Sequence, residues 1–270
     1  MIAAPFLACA VQLTSTPDFG DTLARAATLV AEAAAAGATL VGLPENFSQI
    51  CETQEETAAQ APSTYPVVLS WLSVQARRHG ITIYGSAFAP AGHRVRNRLL
   101  VVDPTGAVIA HYDKRHLFDV ALGGQDTVRE SDDVEAGTVA TVADLGPCGK
   151  LGLSICYDLR FPEHFRALVD QGAEILTVPA AFVRTTGRDH WQVLLQARAI
   201  ENQCYVIAPA QTGEHNVNRR TYGHAMIIDP WGTVLADAGD DEGLVLAQIE
   251  PIRLADVRRK LPALANRRSL

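Results

Sequence analysis

The pattern Asp-Pro-x-Gly-x-Val occurs twice, as "DPTGAV" at 103–108 and as "DPWGTV" at 229–234, and each copy lies between two apolar runs. Pro followed two residues later by Gly is turn chemistry, because Pro presets φ near −65° and Gly accepts a positive φ. Each copy therefore closes a hairpin, over "RLLVVDPTGAVIAHYDK" (98–114) and "HAMIIDPWGTVLADAG" (224–239). Two copies so far apart are not a solenoid, which stacks several units at one short period. They describe a pseudo-repeated half-domain, and so two sheets packed on each other within one fold.

Elsewhere, short apolar runs alternate with longer helix-like stretches. "FLACAVQL" (6–13) reads as a strand, "DTLARAATLVAEAAAAG" (21–37) as an amphipathic helix stopped by Gly37, and "ATLVGLPE" (38–45) as a second strand. "YPVVLSWLSVQARRHG" (65–80) predicts a helix ended by Gly80, and "ITIYGSAF" (81–88) a strand. After the first hairpin come the strand "GKLGLSICYD", a helix from Pro162 to about Gln171, "AEILTVPAAF" (173–182), a helix near 187–203 and "CYVIAPAQ" (204–211). This is the alternation of an α/β protein. No Pro/Gly/Ser-rich linker divides it, so residues 1–270 are expected to form one domain. The longest irregular stretch is the acidic "DVALGGQDTVRESDDVEAG" (119–137), and a loop of that length in a compact domain is functional or disordered.

Composition removes several functions. The net charge is −7, from 23 Lys+Arg against 30 Asp+Glu, and no basic cluster tracks a phosphate backbone, so nucleic acid is not an expected partner. The basic tail "VRRKLPALANRRSL" reads as a solvated C-terminal helix. The apolar N-terminal run lacks a basic flank and breaks at Gln12, which predicts a first strand, with no export signal and no membrane span. Cysteines 9, 51, 148, 156 and 204 form no paired motif, which fits free thiols in the cytoplasm. His111 and His116 are five apart and no HExxH stands in the chain, so no metal or other cofactor is expected.

Cys156 is the informative cysteine. It ends an apolar strand, and "RFPEHFRALVDQG" behind it opens a helix with Pro162 and Glu163 in its first turn. Strand-to-helix turns at the carboxyl end of a sheet are where α/β proteins place ligands. The following backbone N–H groups can meet a developing anion. A thiol needs a base or a cation beside it to attack carbon. Glu45, past the strand in "LVGLPENF", and Lys114, after the first hairpin in "AHYDKRHLFD", stand at two other strand ends. Each alone also reads as a solvated surface charge.

Together, Glu45 in "GLPENF", Lys114 in "YDKRHLFD" and Cys156 in "ICYDLRFPE" resemble the Glu-Lys-Cys triad of the nitrilase, or carbon-nitrogen hydrolase, superfamily. The resemblance runs from about residue 6 to about residue 250. Residues 190–239 are similar to the deaminated glutathione amidase branch, which neighbours the omega-amidases. It implies a four-layer α-β-β-α sandwich, assembled as a homodimer or higher homo-oligomer with 251–270 in the contacts. It also implies a small-molecule amide substrate carrying an α-keto acid moiety.

The resemblance gives each residue an expected role. Cys156 attacks the amide and forms a thioester; Glu45 moves the protons; Lys114 and the Tyr157 N–H hold the oxyanion, and Lys114 also favours the thiolate. Glu130 keeps Lys114 in position and charged, which brings the acidic loop to the site. Arg160 pairs with the keto-acid carboxylate, or else forms an ion pair with Glu163 or Asp158. Phe182 and Thr186 line the pocket, though Phe182 reads equally as core, with His190 and Trp191 packing that wall. Arg198 and Glu201 read as an i,i+3 pair. Relatives carry Ser where Ala180 or Ala181 stands, and Val183-Arg184 adds bulk and charge. The reaction implied is hydrolysis of deaminated glutathione to 2-oxoglutarate and cysteinylglycine. The alternatives are an omega-amidase releasing ammonia from 2-oxoglutaramate, or another aliphatic amidase or nitrilase. Residues 119–130 and 211–222, with Arg219 or Arg220, would separate them by the room left for the leaving group.

Overall fold

The computed structural model describes residues 1–121, 127–217 and 219–268. The first half comprises β1 (Phe6–Leu13), α1 (Phe19–Ala35), β2 (Ala38–Gly42), α2 (Gln54–His79), β3 (Thr82–Ala91), β4 (Arg94–Val102), β5 (Val108–Asp113), β6 (Asp119–Ala121) and β7 (Thr127–Arg129). The second comprises β8 (Val142–Asp144), β9 (Lys150–Leu153), α3 (Pro162–Asp170), β10 (Ile175–Thr177), α4 (Arg184–Asn202), β11 (Tyr205–Ala208) and β12 (Ala210–Asn216). It ends with β13 (Arg219–Tyr222), β14 (Met226–Ile228), β15 (Val234–Asp237), β16 (Gly243–Ile249) and α5 (Pro251–Lys260).

The larger sheet runs β13-β12-β1-β2-β3-β4-β5, with β16 also pairing β1; the smaller runs β15-β14-β11-β10-β9-β8. Strand periodicity sorts the side chains into two cores. From β1, Ala8 and Ala10 join Leu40, Leu99, Val101 and Tyr112 against Leu151, Leu153 and Ile175 of the smaller sheet. From the same strand, Cys9, Val11 and Leu13 face Val30 and Ala33 of α1 and Val68 and Leu72 of α2. Phe165 of α3 and Trp191 and Leu195 of α4 cover the far face of the smaller sheet. The layers are thus helix, sheet, sheet, helix.

The repeated motif closes an outer hairpin in each sheet, β4-β5 in one and β14-β15 in the other. Both turns are built alike: Asp103 Oδ1 accepts the N–H of Thr105 at 2.9 Å and of Ala107 at 3.1 Å, while Asp229 Oδ1 accepts those of Trp231 at 2.9 Å and Thr233 at 2.8 Å. Gly106 and Gly232 take the positive φ, 83° and 90°.

Two expectations need correction. Helix α2 starts eleven residues before Tyr65, at Gln54, with Thr53 and Glu56 forming a reciprocal cap. It runs through Pro62 and Pro66, whose rings are exposed and whose missing donors are four residues apart. The stretch 119–137 is not wholly irregular, since β6 and β7 pair as an antiparallel ribbon and Glu130–Asp132 forms a helical turn; its residues 122–126 lie outside those described. Among the described residues, no helix is long and apolar enough to cross a membrane.

Candidate active site

The chain leaves β9 at Leu153 and turns sharply. Cys156 sits at φ 46°, left-handed for a residue with a side chain, a conformation that costs about 1 kcal/mol or more. Its N–H donates to the Pro179 carbonyl at 2.9 Å, and the Ile155 N–H donates to Asp158 Oδ2 at 2.8 Å. A short 3-10 turn, Cys156–Arg160, then leads into α3. The surroundings thus hold the sulfur at a turn that the residue's own preference opposes.

Glu45 follows β2 and is 3% exposed. Its Oε1 accepts Asn97 Nδ2 at 2.8 Å and Lys114 Nζ at 2.9 Å; its Oε2 accepts the Ala181 N–H at 2.9 Å. The Cys156 thiol lies near enough to this carboxylate for each to shift the other's titration. Lys114, the first residue past β5, is buried, and its ammonium bridges Glu45 to Glu130, with Nζ 2.8 Å from Glu130 Oε2. Glu130 opens the helical turn behind β7 and is fixed in turn by the Phe118 N–H at 2.7 Å.

Such burial penalises every charge, yet the partners decide the outcome. For Lys114, desolvation is outweighed by the Glu130 and Glu45 carboxylates, and its pKa stands well above the usual lysine value. Desolvation of Glu45 is likewise outweighed by Lys114, holding its carboxyl below the usual range. Cys156 goes the other way: burial first, then the Glu45 charge, push its thiol well up, against the opposing pull of Lys114. The expected thiolate-favouring effect of Lys114 is present but overruled. At rest the proton belongs on sulfur and Glu45 is a free base beside it.

A cavity of about 390 Å³ opens on this cluster, within the range of small-molecule sites. Phe182 and Thr186 both line it, and Thr186 Oγ1 is buried with no hydrogen-bond partner among the described residues. Phe182 also packs 4.9 Å from the wholly buried Trp191. Phe118, Arg129 and Glu130 bring the acidic segment to the wall, and Arg219 and Arg220 bring the segment 211–222. Tyr157 sets its ring edge-on against Phe118 and Phe161.

Arg160 makes neither of the ion pairs weighed for it among the described residues. Its guanidinium lies over Phe182 at 5.3 Å and over Tyr157 at 5.9 Å, with Nη1 3.2 Å from His190 Nδ1. It borders the cavity wall through Phe182 rather than lining the cavity. The i,i+3 pair of Arg198 and Glu201 forms at 2.8 Å, and Arg198 also donates to the Leu159 carbonyl.

Asn97 and Gln211 went unnoticed in the sequence. Gln211 Nε2 donates to the Glu45 carbonyl at 2.9 Å. Asn97 had a legible signal: in "RVRNRLLVV" the alternation puts Val95, Asn97 and Leu99 on one face, and a lone carboxamide on an apolar face needs a partner. Among the described residues, no three His, Cys, Asp or Glu side chains are grouped as a metal site requires.

Comparison with known proteins agrees with this geometry. The carbon-nitrogen hydrolase family model matches residues 7–259. The chain is 49% identical over 268 residues to the deaminated glutathione amidase of Synechocystis sp., covering 97% of this chain and 98% of that protein. Identity to the deaminated glutathione amidase of Bos taurus is 42%, covering 97% of this chain and 82% of that one. The crystal structure of Saccharomyces cerevisiae Nit3, a member of branch 10 of the nitrilase superfamily, superposes with a TM-score of 0.88 at 29% identity, covering 99% of this chain and 98% of that one. A full-length match in sequence and in fold, around a buried Glu, Lys and Cys, leads to one conclusion: the chain belongs to the carbon-nitrogen hydrolase family.

Proposed function

We propose that this protein is a cysteine-dependent amidase that hydrolyses deaminated glutathione to 2-oxoglutarate and cysteinylglycine. The observation that carries the reading is the Lys114 ammonium bridging two buried carboxylates beside the Cys156 thiol, at the floor of a cavity. In this reading Glu45 takes the thiol proton as sulfur attacks the amide carbon. Lys114 and the Tyr157 N–H receive the oxyanion, and Glu45 passes the proton to the departing amine. A thioester remains on Cys156. Water then attacks it, giving a proton to Glu45 and releasing the acid as the thiol is restored. Glu130 keeps Lys114 charged throughout.

The cavity supports a substrate with a sizeable leaving group. Arg219 lines it, and among the described residues no carboxylate forms an ion pair with Arg219, whereas Arg220 is paired to Glu214 at 2.9 Å. A guanidinium in that position suits the terminal carboxylate of cysteinylglycine. Thr186 offers a free hydroxyl to the acyl half, and Arg160 is proposed to meet the keto-acid carboxylate at the Phe182 edge. The named activity of the two relatives points the same way. All five cysteines are unpaired, which fits a cytoplasmic setting, and the protein is proposed to be a homodimer.

The test measures 2-oxoglutarate release, coupled to glutamate dehydrogenase, from deaminated glutathione and from 2-oxoglutaramate, with Cys156→Ala as blank. A higher kcat/KM for deaminated glutathione is the expected result. Preference for 2-oxoglutaramate would make the protein an omega-amidase instead.

A further inference from the structure

Lys114 follows β5 of the larger sheet and Cys156 follows β9 of the smaller. No ladder hydrogen bond joins those two strands, so something else must fix the gap between the ammonium and the sulfur. Asp158 is wholly buried between the two turns, and both of its oxygens are used twice. Oδ2 accepts the Tyr112 hydroxyl at 2.7 Å and the Ile155 N–H at 2.8 Å. Oδ1 accepts the His116 N–H at 3.1 Å and His116 Nδ1 at 2.6 Å. Tyr112 and His116 stand two residues either side of Lys114. Ile155 and Asp158 stand either side of Cys156.

We propose that Asp158 is the positioning residue that sets the separation of Lys114 from Cys156, by holding the lysine turn and the cysteine turn on one carboxylate. The inference rests on the reading that these two residues act together on the substrate. Neighbouring contacts reinforce the tie. Tyr112 Oη accepts the Arg115 N–H at 3.1 Å, and the His116 ring stacks 3.8 Å from Phe161, at the far end of the cysteine turn. The same Asp158–Ile155 bond braces the left-handed backbone of Cys156.

The charge of Asp158 matters as much as its place. Burial alone would push its carboxyl up, but the hydrogen bond from His116, the nearby His164, and the bonds from Tyr112 and the Ile155 N–H hold it below the usual range. It is therefore an anion with two accepting oxygens. A carboxamide has one, so in Asp158→Asn the amide NH2 must face two donors and release one pair. Either orientation loosens a turn. A shift of about 1 Å between reacting groups lowers turnover about 100-fold.

The experiment compares Asp158→Asn and Tyr112→Phe with wild type in the full-length protein. Both are assayed by 2-oxoglutarate release and by the rate at which iodoacetamide alkylates Cys156 in the folded protein. Asp158→Asn is expected to lower kcat about 100-fold with KM within about 2-fold. Alkylation should slow about 10-fold, because the sulfur loses its cation. Tyr112→Phe, which deletes one donor at constant shape, should lower kcat about 10-fold. If either variant melts earlier but keeps wild-type kcat per folded site and wild-type alkylation, the proposal is overturned. Should Asp158→Asn fail to fold, Tyr112→Phe decides alone. Activity in Cys156→Ala would instead overturn the reading beneath the proposal, whereas an inactive Cys156→Ala beside fully active Asp158 and Tyr112 variants would overturn the positioning alone.

Discussion

Glu130 Oε2 lies 2.8 Å from Lys114 Nζ, and the same oxygen accepts the Phe118 N–H at 2.7 Å, so the carboxylate anchors the lysine to the wall of the cavity. Glu130→Gln keeps the shape and removes one of the two charges that hold Lys114 protonated. Leaving a buried charge short of a partner costs about 2 kcal/mol. We expect kcat to fall about 10- to 100-fold with little change in KM. Steady-state kinetics check this, and unchanged turnover would reduce Glu130 to a loop anchor.

The left-handed backbone of Cys156 separates two inactive variants by stability. Cys156→Ala keeps a Cβ at φ 46°, whereas Cys156→Gly relieves it. Both should lose turnover. We expect the glycine variant to be the more stable by about 1 kcal/mol in urea denaturation, despite the usual entropy penalty of glycine. The reverse order would mean that the turn is unstrained.

Leaving-group recognition is tested at Arg219. Its loss should raise KM for deaminated glutathione about 10-fold or more, the worth of a charged hydrogen bond. For 2-oxoglutaramate, whose leaving group carries no carboxylate, KM should hardly move. Equal effects on both substrates would assign Arg219 to the acyl half. Arg160→Lys should do the opposite, raising KM for both, since the two substrates share that half.

Acid stability should depend on His215. The ring is buried, with Nδ1 2.8 Å from the Ser15 carbonyl and Nε2 2.7 Å from Thr221 Oγ1. Burial, and then the charge of Arg219, push its pKa down to about 4, against the Ser15 carbonyl. The unfolded residue titrates near 6.5. Its contribution is therefore complete above about pH 6.5 and is lost as pH falls towards 4, because only the unfolded chain takes up the proton in that window. The size is about 3 kcal/mol. Urea midpoints between pH 7 and pH 4.5 should fall less for His215→Gln than for wild type; equal slopes would refute the assignment.

The sequence disclosed what depends on local chemistry. Both Asp-Pro-x-Gly turns follow from turn residues, the two-sheet plan from the repeat of the hairpin, and the strand ends carrying Glu45, Lys114 and Cys156 from apolar runs, whereas their union in one site is what the resemblance to the superfamily implies. The start of α2 escaped because Pro62 and Pro66 argue against a helix interior, and only their exposed positions let the helix pass through them. The supports of the site escaped for another reason. Asn97, Gln211 and Asp158 reach their partners across 52, 166 and 46 positions of chain, and no local pattern records such pairings. Arg160 illustrates the limit: proximity in sequence offers Asp158 and Glu163 as alternatives to a substrate carboxylate, yet Asp158 is fully engaged elsewhere and the guanidinium rests on Phe182 and Tyr157 instead.

The antiparallel pairing of β1 with β16 also bears on how the protein is made. Phe6 meets Ile249 and Gln12 meets Gly243, so β1 waits for a strand that is synthesised much later. Until then its apolar edge, from Leu7 to Val11, stays open to wrong partners, a slow and aggregation-exposed route in which chaperones would be engaged. A product cut before β16 would still carry Glu45, Lys114 and Cys156, but with the β1 edge that β16 covers left open.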